Sequence, residues 1–202
     1  FKIHELKTVY GEDIEKLVDM IETELKISYS IRSEIIENIA ELVLNVYQHS
    51  GSPTKCYING KAYPKTHQIK YCLSDTGIGI KKHLSKNYPE LLNKNSCEAI
   101  EKALEEGVTG SDGSINGGLG LYLMSEFVEA CGGSFTIMSG NGIYSKTIRY
   151  IMPENLPEKE TQKLELPFEC PGTFINISLN SDQRYQIISI NEESTSDKKD
   201  FL

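Results

Sequence analysis

The sequence predicts an α+β protein, and three observations support this prediction. Residues 11–26 and 31–49 place apolar side chains at steps of three and four, as amphipathic helices do. Residues 54–63 and 67–75 alternate apolar and polar side chains on either side of a turn, as paired antiparallel strands do. Residues 81–117 lack a strand pattern and separate this pair from a second group of strands. Helices and strands grouped in this way are typical of α+β folds.

Length and composition indicate one globular domain. The chain has 202 residues, of which 39% are hydrophobic and 25% are charged, enough to bury a substantial core. We expect this domain to cover residues 1–190 and to be followed by a polar tail, residues 191–202. Because the chain begins with Phe1 and not with Met, we expect it to be a fragment of a longer protein.

Charge and cysteine content exclude several classes of function. The net charge of −8 argues against a nucleic-acid partner, which needs clustered Lys and Arg side chains. No apolar run approaches the roughly 18 residues of a membrane-spanning helix, so we expect no membrane segment in this chain. The five cysteines show no CxxC spacing, which favours reduced thiols and hence a cytoplasmic protein over disulfides or a zinc site.

The predicted second helix has an unusual polar face. Its apolar stripe consists of Ile31, Ile35, Ile39, Leu42, Val43 and Val46. At about 100° per residue, the opposite face collects Glu34, Asn38, Glu41, Asn45 and Gln48, with His49 at its border. Glu41 and Asn45 are neighbours because they lie one turn apart. Taken alone, this face favours an ordinary solvated helix surface.

The strand at residues 67–75 ends in the sequence SDTGIGI. Asp75 closes the strand, and Gly77 and Gly79 can adopt backbone angles that other residues avoid, which allows a ligand to approach closely. A plain turn at the end of a strand would have the same sequence, so this motif by itself leaves both interpretations open.

The segment 81–117 is a long connection for a compact domain, and such connections often act as lids. Within it we predict one short helix, capped by Asn95 together with Glu98 and ended by Gly107. We therefore expect a lid at about residues 81–117.

The sequence GGLGL, residues 117–121, opens another predicted helix, which ends at Gly132 and Gly133. The exposed N–H groups and the dipole of a helix N-terminus favour phosphate. This motif is not a P-loop, because no Gly-Lys-Ser/Thr follows. The last strands are expected at residues 134–140 and 142–152, on either side of a Gly-Asn-Gly turn, and at residues 172–179.

Taken together, these motifs are far more specific than each one alone. In order, the chain carries Glu-x-x-x-Asn-x-x-x-His on a helix, Asp-x-Gly-x-Gly after a strand, a long lid, Gly-x-Gly before a helix, and Gly-Thr opening a last strand. This order resembles the ATP-binding fold of the GHKL superfamily, which includes gyrase, Hsp90, the sensor histidine kinases and MutL. The resemblance covers about residues 14–179. It implies a Bergerat-type α+β two-layer sandwich, with a mixed, mostly antiparallel sheet and helices on one face.

The resemblance assigns catalytic and metal-binding roles to the polar helix. Asn45 is expected to offer its amide oxygen to Mg²⁺, a hard cation that prefers oxygen ligands. Glu41 is expected to act as the general base for the attacking water or hydroxyl group. His49 lies where similar kinases place a basic group near the phosphates, although a residue that caps the helix end would occupy the same position.

The resemblance also assigns residues that bind the nucleotide. Asp75 is expected to accept a hydrogen bond from the adenine amino group, and Thr173 to join it through water. Gly77 and Gly79 are expected to let the backbone pass close to ATP. The phosphates are expected to contact N–H groups at Gly118, Leu119 and Gly120.

Two hypotheses for function follow. The first is a kinase-like module, similar to anti-sigma-factor kinases or stand-alone histidine-kinase domains, that hydrolyses ATP or phosphorylates a separate protein partner. His4 lies in the sequence HELKT, which resembles a phospho-accepting box, but too few residues separate it from Glu41 for the helical hairpin of those kinases. The second is a nucleotide-gated interaction protein that transfers no phosphoryl group to protein.

Overall fold

The computed structural model describes residues 3–6, 11–51, 55–109, 119–151 and 156–181. The strands are β1 (His4–Leu6), β2 (Cys56–Tyr63), β3 (Gln68–Asp75), β4 (Gly133–Ile151) and β5 (Leu156–Asn180). The α-helices of the described part are α1 (Glu12–Leu25), α2 (Tyr29–His49), α3 (Ile80–Leu84), α4 (Ser96–Ala103) and α5 (Gly120–Cys131). Short 3₁₀ helices occupy Pro64–Thr66 and Pro89–Asn93. None of the described helices combines the length and the apolar character needed to cross a membrane.

The five strands form one sheet in the order β1-β2-β3-β5-β4. Along β3, Ile69, Tyr71 and Leu73 are buried, while the side chains between them are only partly covered. This alternation places the core on one face of the sheet, where the helices pack. The predicted α+β sandwich is thereby confirmed, and every strand pairing in the described part is antiparallel.

A charged cluster joins α2 to α1. The guanidinium group of Arg32 donates hydrogen bonds to three carboxylates of α1, and its side chain is only 20% exposed. The three N–O distances are 3.0, 2.7 and 2.9 Å, to Glu15, Asp19 and Glu22 respectively. Steps of four and three residues place these acids on one face of α1. The cluster therefore helps to fix the position of α2, the helix that carries the motif residues.

The prediction that Asn38 lies on the polar face of α2, away from the core, was wrong. This side chain is 7% exposed, and its Oδ1 accepts a hydrogen bond from the hydroxyl group of Tyr71 at 3.0 Å. Because α2 lies flat on the sheet, its buried face is wider than the apolar stripe and includes this amide. The buried Tyr71 hydroxyl supplies the partner that an amide needs in the core.

We predict that Tyr71→Phe lowers the free energy of unfolding by about 1–3 kcal/mol, because it leaves the buried Asn38 amide without its partner. Urea unfolding measures this change. Tyr57→Phe, on the less buried face of neighbouring β2, is the matched control and should change stability little. The double variant Asn38→Leu/Tyr71→Phe should be more stable than the sum of the single changes predicts; simple additivity would show that the two groups do not interact.

The predicted turn at Gly140-Asn141-Gly142 is confirmed, and it lies within the element β4. The side-chain oxygens of Thr136 and Ser145, nine residues apart, lie 2.9 Å from each other. Nine residues of extended strand would span about 30 Å, so the chain reverses between them. Gly140 has a φ of +60°, and a Cβ at Gly142 would lie 2.7 Å from the backbone nitrogen of Cys97. The glycines therefore allow the turn and let the start of α4 lie directly against it.

A strand segment in the first part of β5 was not predicted. Residues 156–165 pair with residues 142–151 of β4, whereas the predicted last strand pairs with β3 and with residues 133–139 of β4. Residues 156–165 are exposed, so they lack the alternation of apolar and polar residues that marks a half-buried strand. Backbone pairing with β4 forms this part of the strand.

The lid segment is more structured than predicted over its described part, residues 81–109. The helix capped by Asn95 and Glu98 is confirmed as α4, with both hydrogen bonds of a capping box. It is joined by α3 and by the 3₁₀ helix Pro89–Asn93. The buried side chains of these segments form a small core of their own, Leu84, Leu91, Ala99 and Ala103. Residues 110–117 of the predicted lid lie outside the described residues.

Candidate functional site

A cleft lies where β3 ends beside Thr173 of β5, the C-terminal half of α2, the start of α5 and the helix α3. It contains about 770 Å³ of empty space, open solvent at its mouth included. Its walls combine apolar side chains with a few polar groups. The predicted site residues that line it are Asn45, His49, Asp75, Gly79, Gly120 and Thr173.

Asp75 forms one polar wall of the cleft. It is the last residue of β3, is 8% exposed, and accepts a hydrogen bond from the backbone N–H of Gly77 at 2.6 Å. Burial raises the pKa of its carboxyl group, while hydrogen bonds from Gly77 and Thr173 oppose part of this rise. A buried carboxylate with remaining acceptor capacity suits a ligand that donates hydrogen bonds.

Ser139, which the sequence motifs did not identify, and Gly172 of the Gly-Thr motif hold this wall together. The Ser139 hydroxyl is buried; it donates to the carbonyl of Gly172 at 3.0 Å and accepts from the N–H of Ile80 at 2.9 Å. Gly172 has a φ of +74°, and a Cβ there would collide with the backbone of Asp75. These contacts connect β4, β5 and the turn after β3, and so position Asp75 and the start of α3.

Asn45 faces the start of α5 across the cleft. A Cβ at Gly120, the first residue of α5, would collide with the Asn45 amide nitrogen. Glycine at this position therefore lets the N-terminus of α5 approach α2 closely. The free N–H groups at the start of α5 and the Asn45 amide consequently lie in one region of the cleft.

Two histidines meet in the cleft wall. The ring of His49, the last residue of α2, lies 4.5 Å from the ring of His83 on α3, measured between centroids, with 33° between the ring planes. Burial lowers the pKa of both side chains, and that of His83 falls to about 4. Both imidazoles are therefore mainly neutral near pH 7.

Three predicted site residues of the described part do not line the cleft. Glu41 is half-buried on α2, one turn before Asn45, and Leu119 is 36% exposed immediately before α5. Gly77 is in close contact with the protein itself, because a Cβ there would collide with Ser50 at the end of α2. The neighbouring N–H of Ile78 donates to the Ser50 carbonyl at 2.7 Å. Gly118, another predicted site residue, lies outside the described residues.

The cleft fits a magnesium–nucleotide complex better than a bare metal ion. No group of three or more His, Cys, Asp or Glu side chains in the described part could hold a metal. Mg²⁺ commonly takes only one or two protein ligands when it also binds phosphates and water. The Asn45 amide, beside the helix N-terminus of α5, provides an oxygen ligand of the required kind.

Comparison with known protein families explains this geometry. Residues 31–169 match the model of the family described as histidine kinase-, DNA gyrase B-, and HSP90-like ATPase. The chain belongs to this family. The GHKL resemblance in the motifs is thus confirmed, and the chain is an ATP-binding module of the GHKL type. A search of curated proteins finds no match to the chain.

The match includes the polar helix, the DTGIGI turn, the lid segment and the GGLGL motif, and it ends before Gly172 and Thr173. Thr173 was nevertheless identified from its Gly-Thr motif. Ser139 and His83 have no comparable local signal, because their partners in the cleft are distant in sequence; Ser139, for example, is 59 residues from Ile80.

Proposed function

We propose that this GHKL module binds ATP with Mg²⁺ in the cleft and hydrolyses it or transfers its γ-phosphate to a separate partner protein, as kinases of the histidine-kinase and anti-sigma-factor type do. The observation that carries this proposal is the convergence of Asp75, Asn45 and Gly120 on one cleft. They offer an acceptor for a base, an oxygen ligand for a metal and a helix N-terminus for phosphates.

In this proposal each end of the cleft binds a different part of ATP. Asp75 accepts a hydrogen bond from the adenine amino group, and Thr173 supports it from β5. Asn45 would hold Mg²⁺, which would supply positive charge to stabilise the phosphates. N–H groups at Gly118, Leu119 and Gly120 donate to phosphate oxygens, and Glu41 accepts a proton from the attacking nucleophile.

One observation favours the second hypothesis, a nucleotide-gated interaction protein. Glu41 does not line the cleft, whereas Asn45, one turn along the same helix, does. A protein that only binds ATP needs no general base in the site. Incubation with γ-labelled ATP and candidate partner proteins distinguishes the two: label on a partner supports the kinase, and ATP binding without turnover or transfer supports the gated interaction protein.

We predict that ATP binds with Mg²⁺ and that GTP binds at least tenfold more weakly, because guanine presents a carbonyl where adenine presents the amino group that Asp75 would contact. Isothermal titration calorimetry with both nucleotides, with and without EDTA, measures this preference. Equal affinities for ATP and GTP would contradict the adenine contact, and affinity unaffected by EDTA would contradict the metal role of Asn45.

We also propose that the module acts in the cytoplasm. All five cysteines are free thiols in the structure, as expected in a reducing compartment. Burial raises the pKa of the Cys56 and Cys131 thiols to about 12, so they remain protonated and unreactive.

A further inference from the structure

His83 is an unusual residue in the cleft wall. Both of its ring nitrogens are buried, and neither has a hydrogen-bond partner among the described residues. A neutral imidazole carries one N–H donor and one acceptor. Leaving both without a partner in the folded protein is unfavourable, and such groups in native proteins call for an explanation.

The surroundings of His83 indicate what kind of ligand would satisfy it. The ring lines the same cleft as Asn45 and Asp75 and lies beside that of His49. The positive charge of Lys86 acts on both imidazoles. A neutral N–H donor near a cation favours an anionic oxygen over another donor.

The position of His83 relative to the assigned groups favours phosphate over the adenine base. Its neighbour His49 lies one helical turn beyond Asn45, the residue assigned to Mg²⁺ and the phosphates. Asp75, at the end of β3, is assigned to the base. Because His83 of α3 lies beside His49, it is on the same side of the cleft as Asn45 and His49.

We propose that His83 is a nucleotide-binding residue whose imidazole N–H donates a hydrogen bond to a phosphate oxygen of ATP. This proposal rests on the proposed function, ATP binding in the cleft. The ligand supplies the partner that the ring lacks, so the side chain contributes to binding while it lowers the stability of the nucleotide-free protein. Replacing His83 should therefore weaken nucleotide binding without lowering the stability of the nucleotide-free protein. Replacing a purely structural residue would lower both.

The test compares His83→Leu with His83→Gln, which keeps an N–H donor. Isothermal titration calorimetry is performed with Mg·ATP, Mg·ADP and adenosine, and thermal unfolding is measured without nucleotide. His83→Leu should weaken Mg·ATP and Mg·ADP binding about tenfold, the usual effect of losing a hydrogen bond to a charged group. It should leave adenosine binding unchanged and the unfolding temperature unchanged or higher. His83→Gln should recover most of the affinity.

His67→Asn is the matched control, because His67 precedes β3 at the end opposite Asp75 and has a φ of +50°, which Asn tolerates. It should bind all three ligands like the parent. If His83→Leu does not fold, His83→Ala provides the same comparison without added bulk.

Three outcomes would overturn the proposal while leaving the proposed function intact. The first is unchanged Mg·ATP affinity in His83→Leu. The second is a loss of both affinity and nucleotide-free stability that His83→Gln does not restore, which indicates a structural role. The third is an equal loss of adenosine affinity, which places the acceptor on the ribose or the base. A parent protein that binds no ATP would overturn the proposed function, and this proposal with it.

Discussion

Glu41→Gln should slow ATP turnover by about 10²- to 10⁴-fold while leaving Mg·ATP affinity nearly unchanged. A glutamine has the size of the glutamate but cannot accept the proton of the attacking nucleophile, and loss of a general base has an effect of this size. Asn45, one turn along α2, retains its contact with the start of α5 in this variant. Single-turnover kinetics with labelled ATP measure the rate, and calorimetry measures the affinity.

Glu37→Gln is the matched control, because Glu37 lies one turn before Glu41 on α2 and is exposed. It should turn over ATP like the parent. A Glu41→Gln protein with the parental rate would contradict the role of general base, without affecting the assignment of the binding site. If the parent itself binds ATP and shows no turnover with any partner, the gated interaction protein is the better description.

Asp75→Asn should weaken ATP binding by about ten- to a hundredfold. The change removes a charged acceptor from the proposed contact with the adenine amino group, and a hydrogen bond to a charged group is worth about 1.5–3 kcal/mol. The amide oxygen can still accept the hydrogen bond from Gly77. Calorimetry with ATP and GTP should show a smaller ratio of ATP affinity to GTP affinity in this variant than in the parent.

The nucleotide-free stability of Asp75→Asn should be equal to or higher than that of the parent. Burial raises the pKa of Asp75, so the folded protein holds a carboxylate whose charge is disfavoured there. A neutral amide avoids this cost. Glu158→Gln, an exposed change on β5 outside the cleft, is the control. Unchanged affinity and unchanged ATP preference in Asp75→Asn would refute the adenine contact.

Local sequence patterns were sufficient to predict the elements that satisfy their own hydrogen bonds or that bury only one face. The period of α2, the capping box of α4 and the alternation in β2 and β3 all involve residues within a few positions of each other. The ordered motifs on these elements also identified the family, because their sequence along the chain matches that of the family.

Only the tertiary structure determined which side chains meet. The order of the sheet places β5 beside β3, which brings Gly172 against Asp75 and Ser139 between them. The packing of α3 beside the end of α2 brings His83 to His49.

Contacts between distant segments also explain where the predictions from sequence differed from the structure. Asn38 has a polar side chain on a helix, and only its packing against Tyr71 shows that it is buried. Residues 156–165 have no alternating pattern, and only their pairing with residues 142–151 makes them a strand. The sequence determined the family and most of the secondary-structure elements through motif order and short-range periodicity. The composition of the cleft depended on contacts between distant segments, which no local pattern encodes.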